Sequence, residues 1–596
     1  MSGPPRFVRI AIVGGGFTGC CAAATLSAYF RNHPTIQLEI VLFDMGGRGV
    51  GGRSSHRRVR HRDGKVLSDD LPPEDEDGET MEFDHGAQFF RACSPSMKQL
   101  TQHWVENQWA AEWQGQFGKI AANGGMDYSL NELVDQGSDD FFGCPPPPGE
   151  ALIAGVGGMH TICRKIMEHD APEVKVCRGV RVARVERILP GDVDGADIGG
   201  SDRGVTRSSS SYEECRWRLH GTGGRAALHD TPEAELVGLA AAELAPIDTG
   251  DFNLVLMTDV SSSFGTWHRA SAGLQEDTKI APLARRVGSR VRVPLFSAMV
   301  AFRRVTDNER TAPEKLPGVA KRETASPLDA FTVVGSDTLW FAARNNSKPF
   351  SAVAVPAKST NLECWTLVST AAFACSEIEE TCMQDPNTGA FRAQDPNYLN
   401  GSNGPTRKLL AEFRRIIATQ ISASSSSSAS STVNSSYFYA DESLAYIAGQ
   451  RWGSALPQPV ARTRQLEKEE SGSSKSEAIK NIMGVTYDAT PGGFAPPQRV
   501  ASVEPGQQLT QIKSQPNPYL AAAATSGMER NNLSPSETGA GEFGPEIEEE
   551  ASLGFFYAGD FCSYNLVRNP GIEAASLSGI AAAAHMASIV VALSQN

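Results

Sequence analysis

Residues 7–13, FVRIAIV, form a short apolar run rich in β-branched residues, the pattern of a buried strand. Gly14-Gly15-Gly16-Phe17-Thr18-Gly19 follows at once, and then CCAAATLSAYF, small and apolar with no breaker. This order predicts strand, tight glycine turn and helix. A second strand is expected over 38–43, ending in Asp44. Further apolar runs predict strands at 174–176, 180–185, 252–257, 295–302, 338–343, 364–369 and 554–560. Ser94 and Pro95 are start signals for an amphipathic helix over 96–109, and Gly155 to His160 opens another. A closing helix follows Asn569-Pro570-Gly571, with Glu573 in its first turn. Its small face, Ala575, Gly579, Ala582 and Ala583, suits close packing against a helix or a flat cofactor.

Polar tracts interrupt these elements. Residues 60–80 read as a solvated loop, and the prolines at 145–148 as an extended connection. Gly-, Asp- and Ser-rich 190–211 reads as flexible, and 305–327 and 376–406 are rich in breakers. The Ser/Ala run around 424–428, with 458–480 and 500–550, cannot pack a core and reads as surface insertion. There is no internal repeat.

The glycine turn carries the first chemistry. Gly14, Gly16 and Gly19 have G-x-G-x-x-G spacing: the first permits the turn, the second lets backbone approach a pyrophosphate, and the third lets helix and strand pack closely. The exposed N–H groups and the dipole at the helix start favour an anion there. Asp44 ends the second strand, where an acid grips a ribose hydroxyl in dinucleotide folds. The motif alone is weak, but with a strand before it, a helix after it and this acid it predicts a dinucleotide site. The segment from Gly46 to Arg58, GGRGVGGRSSHRR, offers a rival. Residues 47–54 nearly spell a phosphate-binding P-loop, but Arg53 stands where that loop needs lysine, and the segment follows the second strand.

Composition narrows the class. In 596 residues, 40% are hydrophobic and 21% charged, so a folded chain of more than one core is expected. The net charge of −14 argues against nucleic acid as a partner, since phosphate binding needs clustered positive charge. Eleven cysteines with no C-x-x-C pair suggest reduced thiols, a cytoplasmic setting and no zinc or other metal. The apolar stretch 575–593 is mostly alanine with Ser576, Ser578 and His585, so a packed helix is expected rather than a membrane span.

Several separated motifs then agree. GGGFTG and GGRSSHRR resemble the glycine turn and Gly-Gly-Arg segment of the FAD-dependent amine oxidase superfamily. DHGAQFF at 84–90 resembles the Asp-x-Gly-Ala-Gln-aromatic motif of its renalase-like branch. GVGGMHTI, NNSKP at 345–349, QRWGSA at 450–455 and AGDF…GIEAASLSG are similar to further motifs of that branch, in the same order. Together they cover about half of the chain.

The resemblance implies an α/β (α+β) flavoprotein: a discontinuous Rossmann-like FAD-binding domain and a mostly antiparallel sheet over the flavin. The FAD domain would comprise 1–95, 150–260 and 551–596, and the substrate domain 96–149 and 261–550. By resemblance, Thr18 and the glycine turn hold the pyrophosphate, Arg53 meets the FAD phosphates, Val182 the adenine through its backbone, and Gln88 and Phe89 lie near the isoalloxazine. Gly559, Asp560, Glu573 and Ala574 meet the ribityl chain and the flavin carbonyl edge. Arg451 and Trp452 face the substrate. A small reduced donor, such as a reduced nicotinamide isomer, would pass hydride to flavin N5, with O2 as acceptor and hydrogen peroxide as product. An amine, polyene or porphyrinogen donor is the alternative, and a non-catalytic prenyl-protein chaperone of the GDP-dissociation-inhibitor type is another.

Plainer roles stand beside these. Asp560 could cap the last helix, Gln88 could be a satisfied turn residue, Trp452 could be core and Arg451 part of an ion pair. Lys348 reads as a surface-turn lysine. Histidines 56, 61, 85 and 160 join no nucleophile motif and G-x-S-x-G is absent, so they read as non-catalytic. Ser54, Ser55, His56 and Gly453 depart from the residues usual in the family. Gly453 leaves the shape of the substrate pocket open.

Overall fold

In the computed structural model, the described residues are 5–67, 80–122, 126–127, 141–188, 216–223, 250–258, 292–303, 328–349, 362–380, 395–425, 439–457, 517–529, 554–560 and 571–595. The tract 190–211 read as flexible, the breaker-rich 305–327 and the expected insertion 458–480 lie outside them. Nineteen strands and eight α-helices are defined among these residues.

A five-stranded parallel sheet forms the first layer. Its order is β10 (Lys175–Arg178), β2 (Ile36–Asp44), β1 (Arg6–Val13), β13 (Leu254–Met257) and β19 (Phe555–Tyr557). β1 and β13 are apolar because both faces of a central parallel strand are covered. Helix α1 (Phe17–Phe30) crosses from β1 to β2 and is buried over most of its surface. The closing helix α8 (Ile572–Gln595) lies against it. A Cβ at Gly579 would sit 2.2 Å from the Thr18 carbonyl oxygen, so the small stripe foreseen from sequence is what brings the two backbones together. Ile572–Ala592 is long and apolar enough to cross a membrane by length and composition, and 56% of its most apolar window is buried within the fold.

A seven-stranded sheet forms the second layer, in the order β18 (Leu444–Pro457), β14 (Arg292–Arg303), β17 (Leu362–Ser369), β16 (Leu339–Arg344), β15 (Ala330–Val334), β7 (Phe117–Ala121) and β8 (Met126–Asp127). Only the β15–β7 pairing is parallel. One face is covered by α4 (Ala371–Glu380), α5 (Pro396–Asn400) and α6 (Pro405–Ser425). Trp365 and Phe413 meet there at 5.2 Å between ring centres. Helices enter the segment expected to be breaker-rich only at its edges, and 381–394 lie outside the described residues; α6 runs on beyond it because Leu409, Phe413 and Ile416 are buried against the sheet.

Smaller sheets complete the frame. β3 (His56–Arg60), β4 (Val66–Leu67) and β5 (Thr80–Asp84) form an antiparallel sheet across the expected 60–80 loop, of which 68–79 lie outside the described residues. β6 (Ala110–Glu112) pairs with β9 (Ile153–Gly155), and β11 (Val180–Ile188) with β12 (Arg216–Gly223). Helix α2 (Pro95–Glu106) starts as expected, with Ser94 accepting from the Met97 N–H. Helix α3 (His160–Lys165) begins later than its glycines suggested, since Gly157 and Gly158 adopt φ of 83° and 101°. Helix α7 (Pro518–Glu529) corrects the reading of 500–550 as insertion. It docks on α1, α2 and α8, and the Tyr519 hydroxyl, fully buried, donates to Asp170 at 2.7 Å.

A buried charge knot ties the layers together. Asp84 accepts from Lys348 Nζ at 3.0 Å and the Met159 N–H at 2.9 Å, and contacts His56 Nδ1 at 3.0 Å. Its N–H donates to Asn345 Oδ1 and its carbonyl accepts from Thr366 Oγ1. Lys348 also donates to Gln88 Oε1 at 3.0 Å and lies 5.2 Å from the Trp113 ring centre. Lys348 is therefore a buried structural cation, not a surface lysine. The sequence misses this because the partner lies 264 residues away. Burial pushes the Asp84 carboxyl up, but the Lys348 ammonium and His56 outweigh it and hold it well below the carboxylate range. Burial also lowers the Lys348 pKa, against the pull of Asp84. His56 stacks on His160 at 5.2 Å, and desolvation lowers His160 to about 3.

Two stability predictions follow from this packing. Gly579→Ala should destabilise the fold by about 1–3 kcal/mol through overpacking against the α1 backbone, read by denaturant unfolding. Wild-type stability would mean the two helices are not in this contact. Lys348→Met should cost about 3–5 kcal/mol near neutral pH by stranding the Asp84 carboxylate. Asp84 has a depressed folded pKa, so the wild-type pair stabilises above the unfolded pKa of ~3.9 and is lost in acid. Without Lys348, burial favours the protonated Asp84 carboxyl, so the variant takes up a proton on folding and its deficit should shrink as pH falls toward about 4; unfolding curves across pH test this. A pH-independent deficit would contradict the ion-pair role.

Candidate functional site

The glycine turn joins β1 to α1 and is tight on every side but one. Added Cβ atoms would fall 2.2 Å from Thr258 Oγ1 at Gly14, 2.6 Å from Asp44 Oδ2 at Gly15 and 1.9 Å from the Gly14 carbonyl at Gly19. At Gly16, which precedes α1, a Cβ would meet nothing within 4 Å. No side chain caps this helix start. The first-turn N–H groups and the helix dipole thus open on free space, and Thr18 is buried beside them. A helix start of this kind favours a negatively charged group such as a pyrophosphate.

Asp44, at the tip of β2, is buried and braces the turn. Its Oδ2 accepts from the Gly15 N–H at 2.7 Å and its Oδ1 from the Gly46 N–H at 2.6 Å. Burial raises its pKa, opposed by those two N–H groups. A carboxylate keeps further lone pairs after two bonds, so a ribose hydroxyl can still be accommodated. The chain turns at Gly46, where the Gly179 N–H donates to its carbonyl at 3.3 Å. This places the start of β11, with Val182 half-buried, on the Asp44 side of the turn.

The Gly-Gly-Arg segment folds back over the same turn. The Gly51 N–H donates to the Gly15 carbonyl at 2.7 Å, and a Cβ at Gly52 would lie 3.2 Å from Gly16 Cα. Arg53 follows. Its Nη2 meets Asp560 Oδ1 at 2.7 Å and its Nη1 donates to the Ala455 carbonyl at 2.9 Å. Asp560 is 2% exposed, while the arginine side chain is 40% exposed. Gly559 is pinned by its N–H to Ser578 Oγ at 3.0 Å on α8. Gly16, Arg53 and Asp560 therefore share one locality.

The Asp84-to-Phe90 loop lies beside Arg53. A Cβ at Gly86 would fall 1.9 Å from the Arg53 carbonyl, to which the Ala87 N–H donates at 2.8 Å. Gln88 is buried and satisfied, with Nε2 donating to the Asp84 and Gly86 carbonyls and Oε1 accepting from Lys348. Phe89 packs among Trp113, Phe141 and Phe341, with ring centres 5.8–6.2 Å away. On β18, Arg451 is buried opposite Phe296 of β14. Trp452 donates from Nε1 to the His85 carbonyl at 2.9 Å and stacks on the His85 ring at 5.5 Å.

One residue has a structural duty that sequence reasoning missed. Glu573 accepts from the N–H groups of Cys93 and Ser94, both at 2.9 Å, and so braces the start of α2. Ala574 beside it is buried. The pairing of Arg53 with Asp560 was also not readable from either motif alone. Both share a cause: the partners lie 479 to 507 residues apart.

Residues 12–104 match the family model described as the NAD(P)-binding Rossmann-like domain. No curated protein matches the chain. Among solved structures, a putrescine oxidase bound to putrescine is similar at 9% identity and a TM-score of 0.33, over 70% of this chain and 82% of the other. Aklavinone-11 hydroxylase, in a ternary complex with FAD and aklavinone, is similar at 11% identity and a TM-score of 0.30, over 74% and 53%. At these scores the likeness is loose and assigns no chemistry. The Rossmann-like fold of the first layer stands on the matched segment and on the strand order itself.

Proposed function

We propose that this chain is an FAD-dependent oxidoreductase of the renalase-like kind. The observation that carries the reading is the convergence of Arg53 and Asp560 beside the glycine turn, with open space at Gly16. The turn and Asp44 suit the adenosine diphosphate half of a dinucleotide, and Arg53, paired with the buried Asp560 from the far end of the chain, adds a cation beside them.

In this reading Gly14, Gly16, Thr18 and Gly19 shape the pyrophosphate seat, Asp44 holds the adenosine ribose and Val182 faces adenine. Arg53 is a permanently charged fork suited to phosphate and is oriented by Asp560 and the Ala455 carbonyl. Gln88 and Phe89 border the flavin ring, and Gly559, Asp560, Glu573 and Ala574 border its ribityl side. Bound FAD supplies two-electron acceptance from a reduced donor and delivery to O2. The protein's part is to position the donor, exclude water and hold charges still. Trp452 stands on the face of the seven-stranded sheet that meets His85 and borders the donor, whereas Arg451, the preceding residue of β18, shares the opposite face with Phe296. The donor is a small reduced molecule such as a reduced nicotinamide isomer.

Purified protein should be yellow with flavin absorption. A colourless chain that FAD cannot reconstitute would end the proposal. Arg53→Ala should weaken FAD binding roughly ten- to a hundredfold, as expected for a charge-assisted contact of about 1.5–3 kcal/mol. Fluorescence titration of the flavin measures it, and wild-type affinity would remove Arg53 from the cofactor site. Anaerobic mixing with reduced nicotinamide isomers, amines and porphyrinogens, each followed by flavin bleaching, identifies the donor class.

A further inference from the structure

Four arginines stand between positions 53 and 60, and three of them face carboxylates: Arg53 meets Asp560, Arg58 meets Glu82 and Arg60 meets Asp63. Arg57 is the exception. Among the described residues its one hydrogen bond is to a neutral amide, with Nη2 donating to Gln450 Oε1 at 3.4 Å. This happens in a chain with 69 acids against 55 bases, where a carboxylate partner is the easier outcome. Its Nε is sealed without a partner, but the residue is only half-buried, and the Nη1 edge of the fork stays accessible.

Strand β3 decides where this fork points, because successive residues face opposite ways. His56 turns to Asp84. Arg57 shares the other face with Val59, which is fully buried with Met299 and Ala301 of β14. Its partner Gln450 stands two residues before Trp452 on β18, about 7 Å along the strand and on the same face. Trp452 meets His85, and the Ala455 carbonyl further along receives Arg53. The Trp452 ring therefore stands between two cations, Arg57 and Arg53, along one strand. His85 supplies no counter-charge: burial first, and then the charges of Arg57 and Arg48, hold its pKa well below the ordinary value.

We propose that Arg57 is a specificity-determining residue of the donor site, binding a phosphate ester of the hydride donor whose ring lies at Trp452. This inference rests on the FAD reading above and narrows its donor. A guanidinium fork is matched to a phosphate, and a contact beside a half-buried site is strengthened by reduced access of water. The same charge repels a protonated amine, so the site selects an anionic, nucleotide-like donor and rejects a cationic one.

The probe is phenyl phosphate, which joins a flat ring to a phosphate, with benzylamine as its cationic counterpart. Titration calorimetry measures both on the FAD-loaded full chain, as wild type and Arg57→Gln, and flavin fluorescence gives the FAD affinity of each. Wild type should bind phenyl phosphate about tenfold more tightly than benzylamine, and added salt should weaken that binding. Arg57→Gln should lose about tenfold in phenyl phosphate affinity, as expected for a charge-assisted contact, with benzylamine binding no weaker and FAD affinity within about twofold. Equal phenyl phosphate affinity in the two proteins, or an equal loss for both probes, would overturn the inference alone. A tenfold fall in FAD affinity would also overturn it, by moving Arg57 to the cofactor's phosphates. A wild-type chain that takes up no FAD would overturn the cofactor reading and this inference with it. Should the glutamine variant fail to fold, wild type decides: phenyl phosphate binding that is absent, no tighter than that of benzylamine, or indifferent to salt overturns the inference.

Discussion

Four chain segments meet at the glycine turn, and they can do so only because side chains are missing there. Gly19 lies over the Gly14 carbonyl, Gly579 over the Thr18 carbonyl and Gly52 over Gly16. A methyl group at Gly19 or Gly579 would collide with backbone, which cannot give way as a flexible side chain can. The contacts bring β1, the Gly-Gly-Arg segment and α8 to the start of α1 while leaving the Gly16 side open. An uncapped helix start with space before it is the electrostatic centre of the site.

The second layer is attached through buried charge rather than apolar contact alone. Asp84 gathers Lys348, His56 and the Met159 N–H on its carboxylate and Asn345 and Thr366 on its backbone, so one residue joins β5, the start of α3, the turn after β16 and β17. A lone buried carboxylate would be intolerable, and a lone buried ammonium equally so. Each is retained because the other is within hydrogen-bond reach and the remaining valences are filled. The knot also sets the loop that carries His85, Gln88 and Phe89. Lys348 is thereby a positioning residue for the candidate site through Gln88.

Arg53 links the two themes. It leaves the glycine-rich segment of the first layer, reaches the buried Asp560 beside α8 and donates to β18 of the second layer. One guanidinium fork therefore registers both sheets against the turn, with geometry that a lysine could not supply.

The sequence by itself determined the strand, glycine turn and helix that open the first layer. FVRIAIV, the glycine spacing and Asp44 are local signals, because strand period, turn conformation and helix start are decided by residues a few positions apart. The small stripe of the last helix was legible for the same reason. Lys348 and Pro518–Glu529 were not, since a turn lysine and an alanine-rich stretch look exposed until their partners are known. Glu573 bracing α2, Trp452 stacked on His85 and Arg53 paired with Asp560 were likewise decided only by tertiary structure. Their partners lie hundreds of residues away, and burial and electrostatic pairing depend on which surfaces meet, a quantity that no local pattern encodes.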